Sequence, residues 1–347
     1  MTFSSIRFLI VPVLIALGSS GIGLALGSAH DAQKSEILLD QAPVNDNAQT
    51  TTVPSSVVEP NTPTTPPPNP GFLDTSNRES TLAAWKAINE RPDHKIQWTG
   101  SASRCNPGTT NQDFKENILS RVKWFRAMAG VDTNIVLNPE SSRLAQEAAL
   151  VMLANNELSH DPDSSWECFT EDAFEGAQHS NLSLGDYGVE SVDGYIEDYG
   201  EENISVGHRR WLLDPQLTEI GTGDTTNTNA IWVVNDSQRE TFTTREPEGY
   251  VMWPPRGYVP RATIFPRWSV SHNKADFSNA RVEIQFQNKQ VVIDDPYSDT
   301  ENIGNLRTLV FEWIRPPKGT GPVIITVSGI ELEGTMRTLQ YEIRPFG

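Results

Sequence analysis

The chain has 347 residues, 37% of them hydrophobic and 21% charged, a soluble-protein composition with length for two ordinary domains once its ends are set aside. Its 45 Asp and Glu against 27 Lys and Arg leave a formal net charge of −18, a surface that repels phosphate backbones and so argues against a nucleic-acid partner. The two cysteines, Cys105 and Cys168, allow one disulfide in an oxidising compartment and lack the close spacing of a zinc or redox motif.

At the start, Arg7 precedes an apolar run, FLIVPVLIALGSSGIGLAL, that ends at the small residues Gly27, Ser28 and Ala29. That pattern predicts a secretory signal over residues 1–29, cleaved after Ala29; the run is also long enough for an uncleaved anchor, the one way a membrane enters this reading. Both alternatives put the rest of the chain outside the cytoplasm. Residues 30–76, peaking in TTVPSSVVEPNTPTTPPPNPG, hold too few apolar side chains to offset the entropy of ordering and read as a disordered, extended linker.

The first folded region is expected over 77–235. A short helix over Ser80–Glu90 carries Leu82, Trp85 and Ile88 on one side, and Cys105-Asn106-Pro107-Gly108 is a turn. The next helix is capped at Asn111 or Asp113 and stopped at Gly130, with Phe114, Ile118, Val122, Phe125 and Met128 at helical spacing. A third begins at Asn138-Pro139, with Asn as cap and Pro in the first turn, and its stripe of Leu144, Ala148, Val151, Met152 and Leu158 runs to Ser159-His160-Asp161-Pro162. Its alanines predict close packing against a neighbour. Tyr195 to Gly223 is a turn-rich run that crowds Asp198, Glu201, Glu202, His208, Arg209, Arg210 and Trp211 together and closes on a glycine-punctuated strand, Thr218–Gly223; Ile231–Val234 reads as a buried strand. Cys105 and Cys168 lie in turn-like stretches flanking two of these helices and are expected to pair.

An Ala-rich helix ending in Ser159-His160, then SNLSLG, GHRRWLLDP and EIGTG, resembles the CAP superfamily (cysteine-rich secretory proteins, antigen 5 and pathogenesis-related 1 proteins), most closely its bacterial SCP-like extracellular branch. The resemblance spans roughly residues 111–234 and implies a CAP-type α-β-α sandwich. It also implies a cleft with two histidines and two acidic residues, which in some members holds a divalent metal. His160 matches the first histidine and His208 the second; Asp198, with Glu197 as the alternative, falls at one acidic position; Ser180 stands at the other, where the family has a glutamate. With a neutral hydroxyl there, weak divalent metal binding is the most the set implies, and no cofactor is expected.

The residue types permit three uses. Two imidazoles and a carboxylate can ligate zinc with an open fourth position, form a base with its orienting partner, or simply tie helix ends together. His160, His208 and Asp198 are therefore the candidate catalytic residues, with Ser180, Glu197 and Arg209 as candidate binding residues beside them. Ser180 sits in no Gly-x-Ser-x-Gly elbow, which argues against a serine hydrolase of that type.

From residue 236 to 347 helical spacing gives way to alternation, as in Val282-Glu283-Ile284-Gln285-Phe286, Leu309/Phe311/Trp313 and Leu339/Tyr341/Ile343, with turns at Pro254-Pro255, Asp294-Asp295-Pro296 and Pro316-Pro317-Lys318-Gly319. About a hundred residues of short strands predict an immunoglobulin-like β-sandwich. Trp253 and the Phe265–Trp268 stretch are expected in its core or against the first domain. The fold class expected is α+β. The function expected is extracellular binding of an unknown ligand or cell-envelope component, with a secreted hydrolase and a purely structural surface protein as the alternatives.

Overall fold

A computed structural model of the chain describes residues 72–91, 95–235, 242–313, 319 and 321–347. The expected signal or anchor and nearly all of the expected linker lie outside these residues, as does the turn at Pro316-Pro317-Lys318. Six helices and four short strands make up the first part: α1 (Arg78–Asn89), α2 (Gln112–Ala129), α3 (Pro139–Asn155), α4 (Glu171–Gln178), α5 (Val189–Glu197) and α6 (Gly207–Leu212), with β1 (Val136–Leu137), β2 (Ser180–Leu184), β3 (Glu219–Asp224) and β4 (Thr228–Trp232).

The helix ends follow from local chemistry. The Asn77 and Asn138 side chains each accept two backbone N–H bonds at the starts of α1 and α3, and Gly130 stops α2 in the left-handed region. The third helix is shorter than its apolar stripe suggests. Asn156 turns left-handed at φ 49° and ends α3 at Asn155, while Leu158 still packs into the same cluster from the loop beyond.

The four strands form one sheet in the order β1-β3-β4-β2, parallel at β1–β3 and antiparallel elsewhere. Alternation along β4 sorts its faces: Ala230 and Trp232 pack with Ala145, Ala148, Ala149 and Ala173 of α3 and α4, whereas Ile231 joins α2 and α5 through Ile118, Val192 and Ile196. The result is helix, sheet, helix. The glycines of β3 explain how closely the layers meet, since a Cβ on Gly221 would lie 2.3 Å from the carbonyl carbon of Ser141, and one on Gly223 2.2 Å from the Gln146 nitrogen. No side chain fits there, so the α3 backbone rests directly on the strand.

Nine further strands follow: β5 (Val251–Trp253), β6 (Gly257–Pro260), β7 (Arg267–His272), β8 (Arg281–Phe286), β9 (Lys289–Val291), β10 (Tyr297–Ile303), β11 (Leu306–Glu312), β12 (Val323–Leu332) and β13 (Thr335–Phe346). They form two sheets, β10-β11-β7-β5 and β6-β13-β12-β8-β9, antiparallel except where β6 pairs with β13. Both central residues have positive φ in three two-residue turns, Gln287-Asn288, Gly304-Asn305 and Glu333-Gly334, the geometry that matches the twist of a tight hairpin. The chain is α+β, a helix-rich region followed by a strand-rich one. The disulfide forms as expected, Cys105 to Cys168, and ties the loop before α2 to the loop before α4.

One hydrophobic cluster runs from Phe114, Ile118 and Phe125 of α2 through Trp253, Val270 and Leu309 to Ile325 and Ile343. Trp253 meets Phe125 edge to face at 5.1 Å between ring centroids, and Trp268 lies buried in the same cluster. A core shared this way predicts a single cooperative unfolding transition for the described regions. Phe125→Ala, which empties a fully buried site, should cost about 3–5 kcal/mol. Far-ultraviolet dichroism and tryptophan fluorescence should then move together to lower denaturant; two separated transitions would show that the strand-rich region unfolds on its own.

Candidate functional site

The site is built on the turn between α5 and α6. Helix α5 ends at Asp198, whose backbone is left-handed at φ 55°, and α6 is entered through Val206, left-handed at φ 48° and fully buried. A β-branched residue in that region is strained, so the surrounding packing must hold it there. The two reversals bring the Asp198 carboxylate over the first turn of α6.

There, His208 Nδ1 donates to Asp198 Oδ1 at 2.8 Å, and the Arg209 backbone N–H donates to Asp198 Oδ2 at 3.1 Å. Asp198, and not Glu197, is thus the carboxylate that reaches the histidine. Both members of the pair are withdrawn from solvent, His208 at 2% and Asp198 at 0% exposure. The Tyr195 ring stacks on the imidazole at 5.2 Å, and the Asn181 side-chain amide donates to the His208 carbonyl.

Glu197 points elsewhere, half-buried, its carboxyl raised by desolvation against a smaller pull from Arg209. The Arg209 guanidinium is fully buried and is spent on the protein itself: it donates to the carbonyls of Ile196, Glu197 and Arg267 and to the Ser269 hydroxyl of β7. Desolvation pulls it down to about 10, which leaves it charged at neutral pH.

His160 lies in the loop after α3, where its Nδ1 donates to the Ala177 carbonyl at the end of α4, at 2.8 Å. The connector 177–181 from α4 into β2 therefore touches both histidines, His160 at Ala177 and His208 at Asn181. Ser180 lies between these contacts. Strand alternation turns it with Leu182 toward the α3–α4 layer, away from Asn181. Its hydroxyl is buried and has no hydrogen-bond partner among the described residues. The neighbouring His179 stacks flat on Trp232 at 4.4 Å and donates to the Glu175 carbonyl.

These residues do not fit a divalent ion. Asp198 is engaged by His208 and a backbone N–H, Ser180 offers no charge, and among the described residues no group of three or more His, Cys, Asp or Glu side chains is placed to hold a metal.

A second buried polar network lies on the same side of the sheet and has no counterpart in the sequence reading. Asp224, fully buried at the end of β3, accepts from the Gly188 N–H, the Asn229 amide and the Thr222 hydroxyl, while the Tyr195 hydroxyl donates to Asn229 Oδ1. Gln146 of α3 closes it from the other layer, bonding the Asp224 backbone at both ends. The available signal was TGDTTNTN, which is too polar for a plain core strand, but it reads as a turn.

Desolvation pushes the Asp224 carboxyl up to about 6 from an ordinary 3.8, against the pull of its hydrogen bonds. A carboxyl raised on folding binds its proton more tightly in the native state, so stability falls as pH rises from about 4 to about 6 and is level above that. The penalty is on the order of 2–3 kcal/mol. Asp224→Asn removes it while keeping an acceptor for Gly188. The melting temperature of Asp224→Asn relative to wild type should therefore increase between pH 4.5 and pH 7; a constant difference would show that Asp224 ionises normally.

The model of the CAP family, described as the cysteine-rich secretory protein family, matches residues 119–235. The match starts inside α2 and ends just past β4, so it takes in the whole first sheet and the six candidate side chains. Comparison with curated proteins gives no match. Residues 119–235 form a CAP domain.

Proposed function

We propose that the protein is exported and that its CAP domain works by binding, to an extracellular ligand or a component of the cell envelope, with residues 236–347 as an appended β domain. The observation that carries this reading is the burial of the His208–Asp198 pair. A base must reach its substrate, whereas these two groups are sealed and serve to fix the α5–α6 turn. His160, Gln178 and His179, all partly exposed, remain as the accessible part of the candidate site. The disulfide supports export, because such bonds persist in oxidising compartments. The segments 179–185 and 207–215 support a place in the bacterial SCP-like branch.

The second reading is a secreted hydrolase using His160, His208 and Asp198, and the 2.8 Å carboxylate–imidazole bond favours it, since that contact orients a general base in many enzymes. Two measurements separate the readings. The full chain is heated with solubilised cell-envelope fragments, where a bound component at 100 times its Kd adds about 2.7 kcal/mol and raises the melting temperature by several degrees. In parallel, fluorogenic ester and peptide substrates are tested with wild type and His160→Ala. Binding predicts the thermal shift with equal, background turnover in both proteins. Turnover that disappears in His160→Ala at unchanged melting temperature would establish the hydrolase instead.

A further inference from the structure

A cavity of about 780 Å³ opens at the other end of α5 from Asp198, lined by the end of α1 with Arg91, by Lys95 and Ile96, by the first half of α2 and by the β2–α5 loop. Its size is that of a small-molecule or peptide site. It shares no residue with the His208 site and does not depend on the reading of that site.

Among the described residues, the charges on its walls are sorted by element. Arg91 and Lys95 come from the segment after α1, while Asp186 and Glu190 come from the loop and first turn of α5. Between them, Phe114 and Tyr187 supply aromatic surface. The other ions on the wall are already matched. Asp193 takes a two-pronged bond from Arg121, 2.6 and 2.7 Å, and that guanidinium also lies over the rings of Trp85, Trp124 and Phe125. Arg91 is steadied by the Asn117 side chain at 3.0 Å and has no carboxylate partner among the described residues.

Asp186 is the group that needs explaining. It is half-buried, no hydrogen bond or ion pair among the described residues relieves it, and desolvation holds its carboxyl above the ordinary range. Leaving a partly buried carboxylate without a cation is costly unless something brings one. Beside it, Gly185 leaves open space where a Cβ would stand, so the loop does not fill the mouth of the cavity. An anionic ligand would be repelled by a chain of net charge −18, and a purely cationic one by Arg91 and Lys95. A ligand with an ammonium at one end, a carboxylate at the other and an apolar middle suits every wall.

We propose that this cavity binds short peptides with free termini, the amine against Asp186 and Glu190, the carboxylate against Lys95 and Arg91, and an apolar side chain on Phe114 and Tyr187.

Calorimetric titration of the full chain with the tripeptide Ala-Phe-Ala tests this, using the free-ended, N-acetylated and C-amidated forms. The free form should bind, and either modification should weaken it at least tenfold. Asp186→Asn should abolish the preference for the free amine and keep that for the free carboxylate, and Lys95→Gln should do the reverse. Asp186→Asn removes an unrelieved charge and Lys95 is exposed, so both variants should melt no lower than wild type. No binding of the free form, equal binding of all three forms, or variants that lose every form alike would overturn the proposal.

Discussion

The fold turns on two consecutive buried arginines. Arg209 and Arg210 on α6 are each about 1% exposed, and a guanidinium so withdrawn must have its donors met by fixed acceptors. Arg209 takes carbonyls from α5 and β7 together with Ser269; Arg210 takes the Asp299 carboxylate of β10 and the Leu306 carbonyl at the head of β11. Each arginine therefore spans the join between the CAP domain and the strand-rich region. Arg267 answers from the other side, donating to the carbonyls of Asp198, Gly200 and Asn203 while pairing with Glu312. The α5–α6 turn that orients His208 is thus held by the β region. Hydrophobic contact alone would leave its angle open; these directional bonds set it.

Much of the fold was legible where a long periodic pattern met good caps. Helix α2 carries Phe114, Ile118, Val122 and Phe125 at helical spacing between Asn111 and Gly130, and α3 opens on Asn138-Pro139. Helices α4, α5 and α6 gave no such signal because they are short: eight, nine and six residues contain too few turns for a period to emerge. α5 also starts at Gly188, which is no side-chain cap, and stops at a left-handed Asp. In the strand-rich region alternation located β8, β11 and β13, but the tight turn at Gln287-Asn288 carries neither glycine nor proline to mark it.

The candidate site was legible in a different way. Nothing in spacing says that residue 198 meets residue 208; the resemblance to the CAP superfamily brought them together, and the choice of Asp198 over Glu197 rests on a backbone reversal that one φ angle controls. The Asp224 network was not legible at all. Its members come from α3, the β2–α5 loop, α5, β3 and β4, and each one alone is an ordinary polar residue. Only the fold makes them a set. Arg209 shows the converse, since a charge beside a histidine reads as a ligand-binding group from sequence and is a brace within the protein.

The paired glycines of β3 also act as a key against misalignment. Native register puts Gly221 and Gly223 under the α3 backbone, with nothing between strand and helix. Sliding β3 by one residue would put Thr222 there, and sliding it by two, which keeps every side chain on its proper face, would bring Glu219 or Thr225 under the helix. Either slip drives a side chain into main-chain atoms that cannot give way. A strand of this sheet that could otherwise trade partners during folding is confined to one alignment by two missing methyl groups.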